Sequence, residues 1–330
     1  MPGPVELGVP AELASNLLYL RCMKLIVQPD AGIAPVVGAI KQAKKSVDIL
    51  IFRLDRLELA GALSEAVARG VQVRALTAHQ NRGGTKSLRK LEMKLLESGV
   101  TVSRTADDLA RYHGKMMIVD GKILHVYGFN FTRLDIGRSR SFGVVTKNRK
   151  LIKEAIKLFE ADFDRQSYTP GCDRFVVSPE NARERLASFI KATRKQLLIY
   201  DPEVCDDAML RLITARIHAG VDVRIIGNVE AKWNIKGEKY PGKRLHVRAM
   251  IRDGKRAFVG SQSLRRLELE KRRELGIIIT DEDVVRQLQT IFEEDWAQTE
   301  SGRKQLKKDK KAEKKAEKKT EQGKELAAAS

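Results

Sequence analysis

The sequence HGKMMIVDGKILHVYGFN, residues 113–130, recurs in altered form as HVRAMIRDGKRAFVGSQS, residues 246–263, 133 positions later. In both copies a cation follows the histidine after two positions, and an aspartate follows it after seven. The Asp-Gly pair between two apolar runs predicts a β-hairpin with a tight turn. One such pattern is typical of a charged edge strand, but its recurrence in register indicates a duplicated functional unit.

The similarity between the two halves extends over most of the chain. Upstream of the hairpin, matching positions lie 150 residues apart, so Gly70 matches Gly220. Downstream they lie 133 apart, which places an insertion of 17 residues in the first half. The insertion includes TKSLRKLEMKLLESG (residues 85–99), whose leucines at helical spacing predict an additional amphipathic helix ended by Gly99.

Each half is predicted to contain the same order of elements. A helix, a buried strand, a second helix and another strand precede the histidine-bearing hairpin, and a strand and a final amphipathic helix follow it. This alternation predicts an α/β fold of two similar sandwich repeats, each with a mixed sheet flanked by helices. We place the repeats at residues 25–168 and 176–298, packed as a pseudo-twofold pair, and a Lys-rich low-complexity tail at residues 303–330.

The chain is strongly basic, with a net charge of +19. The tail contributes +6 of this (11 Lys or Arg against 5 Asp or Glu), so the rest of the chain carries +13. Such a surface favours polyanionic partners, namely nucleic acid, anionic lipid headgroups or phosphorylated substrates. Charge alone does not choose among them.

Cysteine usage and the N-terminal sequence bear on the compartment. The three widely spaced cysteines, Cys22, Cys172 and Cys205, suit neither a disulfide framework nor a zinc site and indicate a reducing environment. The N-terminal sequence lacks the pattern of a signal peptide or membrane anchor, and no apolar stretch approaches the ~18 residues of a spanning helix. We therefore expect a cytoplasmic protein that is free to contact an anionic membrane peripherally.

The repeated histidines suit chemistry at phosphorus. Because side chains alternate along a strand, His113 and Lys115 share a face, as do His246 and Arg248. An imidazole with a pKa near ~6.5 can act as a nucleophile or general acid at neutral pH, and a neighbouring cation can bind the non-bridging oxygens. If the halves pack about a twofold axis, the two histidines can face each other across one phosphate.

Two further side chains complete this scheme. Asn130 and its counterpart Ser263 are placed to donate hydrogen bonds to the phosphate oxygens. The scheme requires no metal, and the sequence has no acidic cluster that would hold one. We therefore expect neither a metal nor another cofactor.

These residues resemble the phospholipase D superfamily, whose members carry two H-x-K-x(4)-D motifs. The flanking sequences AIKQAKKSVDILIF, ARGVQVRAL and FEEDW also resemble the family, so the resemblance covers residues 25–298. It implies phosphodiester hydrolysis or transfer through a phosphohistidine. Residue chemistry and resemblance together give these candidate site residues: catalytic His113, His246, Lys115, Arg248, Asp120 and Asp253; substrate-binding Asn130, Ser261 and Ser263; and orienting Glu274.

The copies depart from the family motif in different ways. Arg248 replaces the second lysine and keeps the charge, but its planar guanidinium is not equivalent to an ammonium. Ser263 replaces the second asparagine. Tyr127 and Gly128 stand where the family has Gly-Ser, a pair that the second copy retains. The motif aspartates of the family more often hold the turn than touch the substrate.

The resemblance also implies a carboxylate 28 residues after each histidine, where it fixes the ring tautomer. The second copy has Glu274 at this distance from His246, whereas the first copy has Ser141, with Asp135 as a candidate substitute. By family habit His113 is the nucleophile and His246 the acid and base, although Glu274 argues for the reverse.

Three functions are compatible with this sequence. The favoured one is a phospholipase D-like phosphodiesterase or phosphatidyltransferase that acts on phospholipid through a phosphohistidine. The second is a metal-independent nuclease of the same superfamily, and the third is a catalytically inactive relative that binds nucleic acid or phosphate. Retention of both histidines, Lys115 and Glu274 favours an enzyme. The expected state is a monomer that contains an internal pseudo-dimer.

Overall fold

The computed structural model describes residues 23–80, 86–242 and 244–312, so Cys22 and most of the predicted tail lie outside the described residues. The described part of the tail belongs to a helix that covers residues 300–312. The rest forms two mixed seven-stranded sheets with helices, which confirms the predicted α/β class.

The first sheet is built from the first half alone. The strands of this half are β1 (Met23–Gln28), β2 (Ser46–Ile51), β3 (Gln72–Thr77), β4 (Thr101–Arg104), β5 (Arg111–Tyr112), β6 (Met116–Val119), β7 (Ile123–Tyr127) and β8 (Ser141–Thr146). Its helices are α1 (Ala34–Gln42), α2 (Leu57–Ala68), α3 (Lys86–Glu97), α4 (Arg133–Arg138) and α5 (Arg149–Phe163). The strand order is β1-β8-β7-β6-β2-β3-β4, with β2, β3 and β4 parallel and the other neighbours antiparallel.

The second sheet repeats this arrangement. The strands of the second half are β9 (Phe175–Val177), β10 (Gln196–Val204), β11 (Asp222–Val229), β12 (Gly237–Glu238), β13 (Arg248–Arg252), β14 (Arg256–Gly260), β15 (Arg272–Arg273) and β16 (Leu275–Ile279). Its helices are α6 (Ala182–Lys191), α7 (Asp207–His218), α8 (Arg266–Glu270) and α9 (Glu282–Ala297). Written from the edge strand β9, the strand order is β9-β16-β14-β13-β10-β11-β12. It matches the order β1-β8-β7-β6-β2-β3-β4 of the first sheet strand for strand.

The predicted hairpins and the inserted helix are present. The Asp-Gly turns join β6 to β7 and β13 to β14, and Asp120 and Asp253 both have φ of 53°, followed by a glycine with positive φ. Two successive residues with positive φ are what a tight hairpin turn of this type requires. The inserted helix is α3, and the chain leaves it at Gly99, whose φ is 80°.

The main apolar core lies between the two sheets. Phe142 of β8 and Tyr200 of β10 meet edge to face with ring centroids 5.7 Å apart, and Phe159 of α5 and Phe292 of α9 belong to the same cluster. Separate clusters pack α1 and α2 on the outer face of the first sheet, and α6 and α7 on that of the second. Aromatic burial of this extent makes the interface between the halves part of the folded core.

Two equivalent ion pairs cross the interface between the halves. Arg273 of the second half lies 3.0 Å from Asp162 of the first, and Arg140 of the first half lies 3.0 Å from Asp295 of the second. Each arginine, like each aspartate, lies 133 positions from its counterpart. This exchange of matching contacts is typical of twofold symmetry and confirms the predicted pseudo-twofold pair.

Candidate active site

The interface holds both histidines of the repeated motif. The backbone N–H of His113, directly after β5, donates to the carbonyl of Arg273 at 2.8 Å. In the same way, the N–H of His246 donates to the carbonyl of Arg140 at 3.0 Å. Each histidine backbone is therefore fixed by the opposite half, and the two rings share one site.

The two histidines line a cavity of about 210 Å³. Its wall carries three arginines and one carboxylate in addition to the imidazoles. The lining residues are Phe52, Arg53, Arg111, His113, Asn130, Thr132, Leu134, Asp135, Arg244 and His246. Such a basic wall around two imidazoles is suited to an anionic ligand of small size.

His113 is held on three sides. Its Nδ1 lies 2.8 Å from Oε2 of Glu274, the Lys115 Nζ lies 3.1 Å from both ring nitrogens, and the Phe52 ring meets it edge to face at 4.5 Å. The carboxylate contact assigns the ring proton to Nδ1 and leaves the lone pair on Nε2. Burial, together with the charge of Lys115, holds the pKa of His113 well below its ordinary value, so the ring is neutral at neutral pH.

The partners of His113 are themselves buried. Burial lowers the pKa of the Lys115 ammonium to about 7, although the charge of Glu274 opposes this. Burial also raises the pKa of the Glu274 carboxyl, which Lys115 and a hydrogen bond with Ser261 oppose. The Ser261 Oγ additionally accepts the N–H of Leu275 at 3.1 Å, so this serine supports the carboxylate from behind.

His246 has a different environment. Among the described residues its Nδ1 has no hydrogen-bond partner, and Oδ2 of Asp135 lies 3.6 Å from it. The hydroxyl of Ser141 lies 3.4 Å from the backbone carbonyl of His246 instead of reaching the ring. Burial and then the charge of Arg248 hold the pKa of His246 well below its ordinary value, while Asp135 acts in the opposite direction.

The remaining candidates are joined to this pair. The Arg248 Nε donates to Oγ of Ser263 at 3.1 Å, and its Nη1 donates to the carbonyl of His246 at 3.2 Å. The Asn130 amide donates to Asp135 at 2.6 Å and lines the cavity. The structure thus brings together the two histidines, both cations, Asn130, Ser263 and Glu274.

The pairing of Glu274 with His246 that spacing predicts is wrong. Glu274 lies 28 positions after His246, but it points to the ring of His113 in the other half. Ser141, the counterpart of Glu274 in the first half, contacts the backbone of His246 in the second half. The carboxylates are exchanged across the interface because each histidine lies against the strand of the opposite half.

Asp120 and Asp253 do not line the cavity. Asp120 accepts the backbone N–H groups of Lys44, Lys45 and Ser46, and Asp253 accepts those of residues 194–196. Their turns lie at the far end of the hairpin strands, about 16 Å from the cations at the rise of an extended strand. Both aspartates tie a hairpin turn to the start of a neighbouring strand, which is a structural role.

Gly128 stands where the second half has Ser261. A Cβ at this position would lie 2.9 Å from the carbonyl oxygen of Gly260 and 3.0 Å from that of Phe142. Real Cβ atoms rarely approach backbone this closely, so a serine does not fit. The close approach of the two halves therefore accounts for this departure of the first copy.

Two further pairs of site residues obey the same repeat; of these four residues, the sequence pointed only to Asp135, as a candidate orienting carboxylate. Arg111 and Arg244 precede the two histidines by two positions, and Asp135 and Glu268 follow Asn130 and Ser263 by five. Both pairs are 133 residues apart, so the offset was an available signal. Glu268 accepts the N–H of Ser263 at 2.6 Å as Asp135 accepts that of Asn130 at 2.9 Å.

Two features are absent from the described residues, a metal site and a membrane-spanning helix. Within residues 23–80, 86–242 and 244–312, no group of three or more His, Cys, Asp or Glu side chains is arranged to hold a metal ion. In the same part of the chain, no helix combines the length and apolarity needed to cross a bilayer.

Comparison with known proteins places the two halves in one family. The family model described as "Cardiolipin synthase, PLD-like domain" matches residues 36–163 and 186–296, one segment in each half. The chain is similar to the probable cardiolipin synthase YwiE of Bacillus subtilis (strain 168), with 22% identity over an alignment that covers 84% of this chain and 66% of that protein.

Two solved structures share the fold. Polyphosphate kinase from Porphyromonas gingivalis superposes with a TM-score of 0.69 and 18% identity, over 82% of this chain and 46% of that one. Phosphatidylserine synthase from Haemophilus influenzae Rd KW20 superposes with a TM-score of 0.60 and 11% identity, over 84% of this chain and 86% of that one. At these identities the likeness concerns the fold.

Proposed function

The chain belongs to the phospholipase D-like family, and on that premise we propose that it cleaves or transfers a phospholipid phosphodiester through a phosphohistidine. The observation that carries the proposal is the shared cavity of His113 and His246, in which Glu274 leaves the Nε2 lone pair of His113 available. The B. subtilis relative, a probable cardiolipin synthase, supports phospholipid as the substrate class.

His113 is the proposed nucleophile. Its Nε2 attacks phosphorus, and the bond between phosphorus and the leaving alcohol oxygen breaks while His246 donates a proton to that oxygen. An anionic phosphate between the rings raises the pKa of His246, so that this histidine carries the proton that it donates to the leaving oxygen. Phosphate oxygens also offer the Lys115 ammonium a better acceptor than the imidazole.

The second step reverses these roles. His246, now neutral, takes a proton from water or from an acceptor alcohol, whose oxygen attacks phosphorus. The bond between phosphorus and Nε2 of His113 breaks, and the histidine returns to its neutral form. Water gives hydrolysis and an alcohol gives phosphatidyl transfer. Lys115 and Asn130 lie where they can hold the non-bridging oxygens in both steps.

The substrate class and the need for both histidines are tested together. The wild-type chain is incubated in chelator with phosphatidylglycerol, phosphatidylcholine, single-stranded DNA and duplex DNA, alongside His113→Asn and His246→Asn. We expect lipid turnover in the wild type and in neither variant. DNA cleavage lost in both variants would replace phospholipid by nucleic acid, and binding of DNA without turnover of any substrate would indicate an inactive relative.

The covalent intermediate distinguishes the two histidines. With bis(4-nitrophenyl) phosphate, which has a good leaving group, His246→Asn should still form the phosphohistidine and then accumulate it. The adduct is read by intact mass after rapid quenching and located by peptide mapping. An adduct on His246, or adduct formation in His113→Asn, would overturn the assignment.

A further inference from the structure

His246 lacks the hydrogen-bonded carboxylate that His113 has. Glu274 reaches Nδ1 of His113 at 2.8 Å, whereas its counterpart Ser141 contacts only the backbone carbonyl of His246. The Nδ1 of His246 is buried, and it makes no hydrogen bond within the part of the chain that the structure describes. A general acid and base needs a fixed tautomer and a stabilised protonated form, so another group has to supply them.

The carboxylate of Asp135 lies beside this nitrogen. It lies in the first turn of α4, 2% exposed, with Oδ2 3.6 Å from Nδ1 of His246. The same oxygen accepts the N–H and the amide of Asn130, and Oδ1 accepts Nη1 of Arg244. Three donors therefore fix this carboxylate beside the ring.

We propose that Asp135 is the positioning residue of His246 and replaces the carboxylate that Ser141 does not provide. It holds the ring proton on Nδ1, which directs Nε2 to the leaving oxygen, and it stabilises the imidazolium of the catalytic cycle. Catalytic hydrogen bonds shorten in the substrate complex, so a carboxylate oxygen 3.6 Å from Nδ1 is close enough for this role. The inference rests on the proposed function and names one more part of its machinery.

The charges around His246 make this carboxylate important. Arg244 and Arg248 flank the histidine on its own segment, and Lys115, directly before β6, acts on it from the first half. The negative charge of Asp135 opposes the effect of these three cations on His246. Burial raises the pKa of Asp135, but His246, Arg244 and the Asn130 N–H outweigh burial and lower this pKa to about 2. Asp135 is thus ionised at working pH.

Glu268, the counterpart of Asp135, serves as the matched control. Its carboxylate accepts the Ser263 N–H and binds Arg265 and Arg272, and Glu274 already occupies Nδ1 of His113. Glu268→Gln therefore removes an equally buried charge without removing a positioning partner. It reports what loss of such a carboxylate does to the structure of the site alone.

The test uses two substrates that differ in their need for a proton. Asp135→Asn should lower kcat about 100-fold on the phospholipid that the wild type turns over, because its alkoxide leaving group needs an acid. On bis(4-nitrophenyl) phosphate the formation of the phosphohistidine should fall less than about fivefold, because nitrophenolate leaves without a proton. Glu268→Gln should change both rates by the same factor.

Rescue and pH dependence separate positioning from folding. In the double variant Asp135→Asn, Ser141→Glu, the carboxylate that the first half lacks is restored, and phospholipid turnover should recover at least tenfold. Removing Asp135 leaves His246 among cations and lowers its pKa, so the basic limb of kcat/KM on phospholipid should move to lower pH. Equal losses on both substrates with no rescue would overturn the role of Asp135.

A measurement on the wild type covers the case in which Asp135→Asn does not fold. Imidazole ¹⁵N shifts should show His246 with its proton on Nδ1, and a proton on Nε2 would overturn the inference. A wild-type chain that acts on neither substrate would instead refute the proposed function, so the two failures are distinguishable.

Discussion

His113 and His246 lie at equivalent points of two equivalent sheets, yet their neighbours differ. His113 has a buried lysine beside the ring and a carboxylate hydrogen-bonded to Nδ1, whereas His246 has an arginine that turns to Ser263 and a carboxylate at 3.6 Å. Chemically identical groups take different roles when their environments differ. The comparison teaches that a symmetric frame here carries an asymmetric site.

The largest predicted contrast concerns the two cations. Lys115→Met should lower turnover of bis(4-nitrophenyl) phosphate about 1000-fold, because it removes the charge beside the nucleophile. Arg248→Met should cost about tenfold, because its guanidinium binds Ser263 and a carbonyl. Steady-state kinetics of the two variants check this. Equal losses would mean that the cations share the phosphate evenly.

The pH dependence of unfolding serves as the control for Lys115→Met. The Lys115 pKa of about 7 lies below the unfolded value of about 10.5, so between these values the unfolded chain binds the extra proton and wild-type stability rises with pH. Lys115→Met should lack this rise in denaturant unfolding. Lost activity in a variant that is folded and no longer shows this pH dependence is then a catalytic effect.

The next contrast is between Glu274 and Ser141, which occupy equivalent positions in the two halves. Glu274→Gln should lower kcat about 100-fold, because the ring of His113 loses the carboxylate that fixes its tautomer. Ser141→Ala should change kcat less than about twofold, because the hydroxyl reaches only a backbone carbonyl. A loss in Ser141→Ala as large as that in Glu274→Gln would remove the asymmetry between the halves.

The turn aspartates should behave alike. Asp120→Asn and Asp253→Asn should each lower the free energy of unfolding by about 2 kcal/mol at pH 7 and leave kcat unchanged, because each carboxylate accepts backbone N–H groups at an equivalent turn. Backbone donors outweigh burial and lower both pKa values, so this stability is present above the ordinary Asp pKa and is lost as pH falls below it. Urea unfolding at pH 7 and pH 3 checks both statements.

The smallest contrast is between His125 and its counterpart Phe258. Burial lowers the pKa of His125 to about 4, so between this value and about 6.5 the unfolded chain binds more protons and stability falls as pH falls. His125→Phe removes this loss, and its gain over the wild type should grow by about 1–2 kcal/mol between pH 7 and pH 5. A gain independent of pH would point to packing alone.

The repeat predicts more of this molecule than any single motif. The 133-residue offset predicted two similar sheets, the hairpins and the pairing of His113 with His246, because hydrophobic alternation and Asp-Gly turns are local signals. The 17-residue difference predicted α3. The same offset also marked Glu268, the counterpart of Asp135, which was overlooked because it lies outside the familiar motif.

The exchange of Glu274 to the opposite half was not predictable from spacing. Distance along the chain says that Glu274 belongs with His246, but the side chain meets the ring that packs against its own strand. That ring is His113, because β15 pairs with β5. Which half a side chain faces depends on packing between sheets, and that is a tertiary property with no local signature.

The crossed contacts between the halves have an evolutionary consequence. A homodimer of the first half would carry Ser141 at both carboxylate positions, and a homodimer of the second would carry Arg248 at both cation positions. Each half has thus lost a component that the other retains, which duplication in one chain permits because the partner is always present. The two halves therefore depend on each other, because each supplies a site component that the other does not have.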